Sequence, residues 1–273
     1  MFSISRAWIL AASLLGLLAA PVAHADQFEQ IRKSGKLRIA IINGLPSFSQ
    51  LDPSLGWSGS DADTGRQLAR DLGLKPEFVV VSNAERITTL LERRADIIIS
   101  ALSITPTREQ QIAFSLPYAS IALVIGAPPT EAINGYRDLA GKRIGVGRNT
   151  SDGALLKQYA NQARIIEFDD EPALLKAFLS QQFSVISCQR ASITLLNRLL
   201  PAQRQIEEKF IQREYPVAIG IRKEDASLRN WINAWVGENL RNGQLNEIFR
   251  RHHGHSLPDS VLPATLPKAR MPS

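Results

Sequence analysis

Three consecutive branched residues, Ile97-Ile98-Ile99, stand between Arg94-Ala-Asp96 and the small polar run Ser100-Ala-Leu-Ser103, with no polar residue alternating among them. A strand of that kind is buried on both faces, the habit of parallel sheets covered by helices. That restricts the chain to the α/β class. Directly after it comes Thr105-Pro106-Thr107-Arg108, in which Thr105 suits a helix N-cap, Pro106 the first helical position and Arg108 the first turn. A helix N-terminus already carries partial positive charge, so an arginine there is disfavoured unless an anion sits in front of it. Two readings stand side by side. Arg108 is a solvated surface residue paired with Glu109 or a neighbour, or it joins Ser100, Ser103 and open N–H groups in a clamp for a carboxylate or phosphate at the C-terminal edge of the sheet.

The rest of the mature chain repeats this strand-and-helix rhythm. Asp26 to Lys36 predicts a helical lead-in, Leu37 to Ile42 a strand, and Asn43 to Phe48 a loop at the ligand edge. A helix ends at Leu72 with Gly73 as its cap, Lys75 to Val81 predicts a strand, and Asn83 caps a helix running to Arg94. Ala119 to Ala127 is one long apolar strand running into Pro128-Pro129, a candidate crossing into a second unit. There Gly141-Lys-Arg-Ile-Gly-Val-Gly147 echoes Gly35-Lys-Leu-Arg-Ile-Ala-Ile41, and Phe183 to Cys188 echoes Ala95 to Ser100. Between these echoes lie a helix from Ser151 to Ala163, a strand from Arg164 to Phe168 and a helix from Pro172 to Gln181. Phe210 to Ile221 predicts a return strand, and helices from Asp225 to Asn242 and Gln244 to His252 complete the first unit. The expected architecture is α/β with two lobes, each a mainly parallel sheet flanked by helices, joined by two crossing strands. Lobe 1 comprises residues 26–121 and 215–253, lobe 2 residues 122–214, and a tail from 254 to 273 has little to bury and is expected to be loose.

Asp96-Ile-Ile-Ile-Ser100, Ser103-Ile-Thr-Pro-Thr-Arg108 and Phe114-Ser-Leu-Pro-Tyr118 resemble the signature run of periplasmic solute-binding proteins for polar amino acids, the family that feeds ABC importers. The mature chain can be laid on that family in order. The resemblance implies a type II binding-protein fold whose cleft closes by hinge motion, with Arg108 clamping a ligand carboxylate beside Ser100, Ser103 and the main chain at Ala101. Thr150 and Ser151 fall where the family places a second-lobe run touching the same carboxylate, a role compatible with capping the helix that starts there.

The departures concern the rest of the ligand. The family's aspartate for the α-ammonium aligns with Gln189, and the two rings that sandwich a ligand side chain align with Leu45 and Ser60, although Trp57 is close by. An amide does not offset the desolvation of an ammonium as a carboxylate does, so a ligand lacking a free α-ammonium is expected to bind best. Cyclohexadienyl dehydratases resemble this fold too, but they use an acid near the second-lobe strand, and Ser187 to Leu195 contains none. The expected function is therefore capture of a small carboxylate-bearing ligand for an ABC permease. The alternatives are a receptor serving a sensor or other partner and, behind it, a dehydratase-like enzyme.

At the N-terminus, Arg6, the apolar run Ala7 to Ala20 and Ala23-His24-Ala25 read as a cleaved secretory signal at residues 1–25, which places the mature protein in the periplasm. No cysteine stands at the cleavage point and no later stretch is long enough to span a bilayer, so a free monomer is expected. The formal charge of +6 is spread over the chain without interleaved aromatics, which argues against a nucleic-acid surface. Cys188 is the only cysteine, so no intrachain disulfide forms; a small buried residue and a nucleophile are the two readings, the first preferred because no histidine is placed to activate it. His252, His253 and His255 read as a solvated helix terminus, with no metal and no cofactor expected.

Overall fold

The computed structural model describes residues 27–262, and the expected signal peptide lies outside the described residues. Helix α1 (Gln27–Ser34) turns Phe28 and Ile31 inward and leads into β1 (Lys36–Ile41), whose Leu37, Ile39, Ala40 and Ile41 are fully buried. A hairpin of β2 (Gln50–Asp52) and β3 (Gly56–Ser58), which the sequence did not signal, delivers the chain to α2 (Ser60–Asp71). Glycine is required at 59, where φ is 111° and a Cβ would lie 2.3 Å from the Phe48 carbonyl oxygen. Strand β4 (Lys75–Val80) then pairs in parallel with β1.

Helix α3 (Arg86–Leu91) starts later than a cap at Asn83 predicts. Ser82 Oγ accepts from the Glu85 N–H while Glu85 Oε2 accepts from the Ser82 N–H and hydroxyl, so Ser82 and not Asn83 closes the turn of residues 83–85 that precedes the helix. The founding isoleucines form β5 (Ile97–Ile98), and Ile97 and Ile99 enter one core while Ile98 enters the core on the opposite face. After it, α4 (Pro106–Glu109) is a single turn, capped by Thr105 Oγ1 accepting from the Arg108 N–H at 3.4 Å.

The crossing strand β6 (Ala113–Ala127) carries the chain into β7 (Arg143–Gly147), α5 (Ser151–Tyr159), β8 (Arg164–Phe168), α6 (Glu171–Leu179) and β9 (Val185–Gln189). A helix the sequence reading left out, α7 (Arg190–Leu199), follows at once. Strand β10 (Glu207–Ile221) returns alongside β6, and α8 (Ala226–Arg241) and α9 (Gln244–His253) pack on the first lobe. Among the described residues one eight-stranded sheet runs through the whole molecule in the order β4-β1-β5-β10-β6-β9-β7-β8. Its two wings are parallel and its middle, β5 against β10, β10 against β6 and β6 against β9, is antiparallel.

Two lobes follow from how this sheet distributes its side chains. Leu123 belongs to the core that holds Phe28, Leu68, Trp235 and Phe249, whereas the next residue, Val124, belongs to the core that holds Leu174, Phe178 and Leu196. Opposite that change, β10 has a register shift between Ile211 and Arg213. Val217, Ile219 and Ile221 all belong to the first lobe's core. The tail is not loose from residue 254: Leu257 and Val261 are buried in the first-lobe core, and Asn246 Oδ1 accepts from the Leu257 N–H at 2.8 Å.

Candidate functional site

Where β5 ends, Ala101 adopts a left-handed backbone, φ 44°, and Asn149 across the cleft does the same at φ 56°. Such conformations are costly for residues with a Cβ and gather at functional sites. Asp61, fully buried on α2, holds the first in place. Its Oδ2 accepts from the Ala101 N–H at 2.6 Å and its Oδ1 from the Tyr118 hydroxyl at 2.7 Å. Burial pushes the Asp61 carboxyl up to about 7, with those two bonds opposing the rise.

Two guanidiniums line the first-lobe wall. Arg108 Nη1 donates to the Ser103 carbonyl at 3.0 Å and to Ser151 Oγ at 3.1 Å, and Nη2 donates to the Asn149 carbonyl at 3.3 Å. Arg86, the first residue of α3, donates from Nη1 to the Ser100 carbonyl at 2.9 Å. Neither forms an ion pair among the described residues. Burial draws the Arg108 pKa down to about 10, and Arg86 is lowered by burial first and by Arg108 second, with Asp61 and Asp152 opposing.

The second-lobe wall is acidic. Thr150 caps α5 through Oγ1, which accepts from the Gly153 N–H at 3.2 Å, and this places Ser151 and Asp152 at the cleft. Asp170 caps α6 in the same way, accepting from the Ala173 N–H at 2.8 Å, and places Glu171 there. Asp152 Oδ2 accepts from the Ser187 hydroxyl at 2.8 Å, and Glu171 Oε1 from the Ser192 hydroxyl at 2.5 Å. Burial raises the Glu171 carboxyl to about 7; the Ser192 bond opposes this, and Asp152 and Asp170 add to it.

Between the walls lies an inner chamber of about 50 Å³, with Leu45, Ile121 and Leu123 as its aliphatic sides. It opens past Arg86, Thr150 and Ser151 onto a trough of about 650 Å³ that Arg108 lines, and past Gln189 onto another of about 570 Å³. The lobes touch across it, since Gln189 Nε2 donates to the Pro46 carbonyl at 2.8 Å. Residues 37–255 match the bacterial extracellular solute-binding proteins, family 3. The chain belongs to that family.

This family 3 protein is 23% identical over 250 residues to the L-cystine-binding protein TcyJ of Escherichia coli K12, covering 90% of this chain and 93% of that one. It is 25% identical over 262 residues to the membrane-bound lytic murein transglycosylase F of Pseudomonas putida GB-1, and there 91% of this chain spans only 52% of the relative, about half its length. In fold it resembles the solute receptor for L-cysteine of Neisseria gonorrhoeae, with a TM-score of 0.76 at 22% identity, covering 83% of this chain and 93% of the receptor. Among the described residues no helix is long and apolar enough to cross a membrane.

Of the positions singled out in the sequence, Leu45, Ala101, Ser103, Thr150, Ser151 and Gln189 line the inner chamber of this solute-binding protein, and Arg108 lines the adjoining trough. Ser100 lies behind the wall, fully buried, its hydroxyl accepting from the Ile42 N–H. The Ala101 N–H is already taken by Asp61. Ser60 is outside the chamber, hydrogen-bonded through Oγ to His253 Nε2 at 3.0 Å because α2 turns it towards the C-terminal helix. Trp57 packs on Phe78, and no ring lines the inner chamber. Cys188 is buried and lines the chamber, its thiol pushed up by burial. His253 is not a solvated terminus: it stacks on Phe249 at 3.9 Å, and burial depresses it to about 3.

Sequence reasoning missed Arg86, Asp152 and Glu171. The signal for Arg86 was present in Ser82-x-x-Glu85, which puts Arg86 in the opening turn of a helix, the kind of placement that singled out Arg108. Asp152 and Glu171 carry no such oddity. Acids in the first turn are what a helix dipole favours, so both look ordinary in the sequence.

Proposed function

We propose that this chain is a periplasmic binding protein that captures a small amino acid or amino-acid-like carboxylate between its lobes and delivers it to an ABC importer. The observation that carries the reading is the pair Arg86 and Arg108, both buried on the cleft wall without an ion-pair partner among the described residues. Burying an unpaired guanidinium costs several kcal/mol, a cost that an anionic ligand group offsets on arrival. Arg108 supplies the bidentate fork, Ser103 and Ser151 flank it from the two lobes, and Thr150, Gln189 and Leu45 complete the walls. An inner chamber of about 50 Å³ holds little more than a water or two, so admission requires the lobes to part about β6 and β10.

The reading assigns no catalysis. The transglycosylase F relatives extend over about twice the length matched here, and the L-cystine-binding relative is matched almost end to end. The chain acts as a monomer, with a signal at residues 1–25, a first lobe of residues 26–123 and 213–262 and a second lobe of residues 124–212, two residues inside the expected boundaries at 121/122 and 214/215. The test is calorimetry of the mature protein against the standard L-amino acids, L-cystine and a set of small mono- and dicarboxylates. Saturable micromolar binding of an amino acid or other carboxylate is expected, and heat from neither class would sink the reading.

A further inference from the structure

We propose that Asp152 and Glu171 together receive the α-ammonium of an amino-acid ligand whose carboxylate is held by Arg86 and Arg108, the role that Gln189 does not fill. The proposal rests on the reading of the cleft given above and narrows its ligand to zwitterions. Asp152 is 4% exposed and Glu171 7% exposed, and both line the inner chamber. One oxygen of each is held by a serine, Ser187 for Asp152 and Ser192 for Glu171. Neither acid makes a further side-chain hydrogen bond through its other oxygen among the described residues. An ammonium has three N–H donors and no acceptor, and two half-used carboxylates from neighbouring helices suit it.

A second, independent observation is the opposite wall. Arg86 is 4% exposed and lines the same chamber, and Arg108, 8% exposed, reaches its edge through Ser103 and Ser151, both without an ion pair among the described residues. With both acids ionised the chamber and its edge together carry two positive and two negative groups, so a zwitterion leaves them neutral with each pole facing its opposite. A carboxylate without an amine leaves the acids unpaired, and a dicarboxylate adds repulsion to that. Gln189, with its amide committed to the Pro46 carbonyl, acts as a contact between the lobes. The expectation that ligands lacking an ammonium bind best rested on Gln189 with Leu45 and Ser60, and the proposal reverses its ammonium part.

The test is calorimetry of the full mature chain with L-cysteine and L-arginine, each against its counterpart without the amine, 3-mercaptopropionate and 5-guanidinopentanoate. The expected result is that at least one amino acid binds and its counterpart binds at least about tenfold more weakly. The double variant Asp152→Asn, Glu171→Gln, whose amides still accept from Ser187 and Ser192, should lose that preference and bind the counterpart as well as or better than the unmodified chain. Thermal melts show whether it folds, and Glu171→Gln alone should narrow the preference if it does not. Equal binding of amine and counterpart, or a preference unchanged in the variants, overturns the proposal while leaving the arginine clamp intact. Binding of the counterparts alone does the same. Binding of none of the four compounds, with none in the wider screen, overturns this proposal and the cleft reading together.

Discussion

The two walls of the cleft are built on one plan, a strand end followed by a helix start, and carry opposite charge. On the first lobe the helix starts present Arg86 and Arg108; on the second they present Asp152 and Glu171. A helix N-terminus favours an acid and disfavours a cation by about 0.3–1 kcal/mol. The second wall is therefore consistent at every level and reads as ordinary helix capping, whereas the first violates a local rule. A local violation persists where something else compensates, which is why the basic wall announced a site and the acidic wall did not.

The largest effect expected from breaking this asymmetry is at Arg108. Arg108→Ala should cost about 2–5 kcal/mol of binding with the fold retained, because truncation strips the fork and leaves the cores alone. Calorimetry against the best ligand, with a parallel thermal melt, reads both. Arg108→Lys should be nearly as poor, since an ammonium does not reproduce the planar fork. Unchanged affinity would take the basic wall out of recognition.

Arg86→Met should separate stability from function. It removes a buried cation that repels Arg108, so the ligand-free protein should gain roughly 1 kcal/mol while binding weakens. A fall in both would mean that the bond to the Ser100 carbonyl outweighs the charge.

Protonation offers a milder perturbation of the acidic wall. Glu171 is raised to about 7 in the folded state, so its contribution to stability is fully present below the unfolded carboxylate range and is lost as pH rises through 7. Asp152 and Asp170 press in the same direction, while Ser192 opposes. Glu171→Gln lacks this dependence, so its stability relative to the unmodified chain, read from melts, should climb from about pH 5 to about pH 7 by up to about 1.4 kcal/mol per pH unit and level off above that. Amino-acid affinity of the unmodified chain should rise over the same interval as the carboxylate forms. Asp61, also raised to about 7, and His253, depressed to about 3, add slopes of opposite sign that cancel in the comparison with the variant.

The smallest effect is expected at Ser60. Its hydroxyl faces His253 and not the chamber, so Ser60→Ala should change ligand affinity by less than about 0.5 kcal/mol. A larger loss would draw α2 back into the binding surface.

Most of the fold was legible because strand burial and helix caps are local. Ile97 to Ile99 with Thr105-Pro106 set the class, and the echo of residues 35–41 in residues 141–147 set the number of lobes. The misses have equally local causes. Asn83 and Ser82 are both good caps, and only the reciprocal bond from Glu85 decides between them. Helix α7 begins with no cap side chain beyond Gln189, and the hairpin of β2 and β3 spans too few residues to show alternation. Ser60 was placed by alignment with a ring position, whereas its direction is set by how α2 packs against α9, a contact nearly two hundred residues away.

The first lobe is sewn from both ends of the chain, and this governs the order in which the protein becomes solid. Phe28, Leu37 and Leu68 share their core with Leu228, Trp235, Phe249 and Val261, whereas the second lobe's core comes from one unbroken stretch, Val124 to Ile206. A chain that emerges N-terminus first leaves its opening third waiting for the C-terminal segments that bury it. Its apolar strands stay uncovered for that interval while the second lobe is already able to collapse. The lobe that bears the arginines is thus completed only when the C-terminal helices dock, so truncating α8 or α9 should unfold the basic wall while leaving the acidic one able to form.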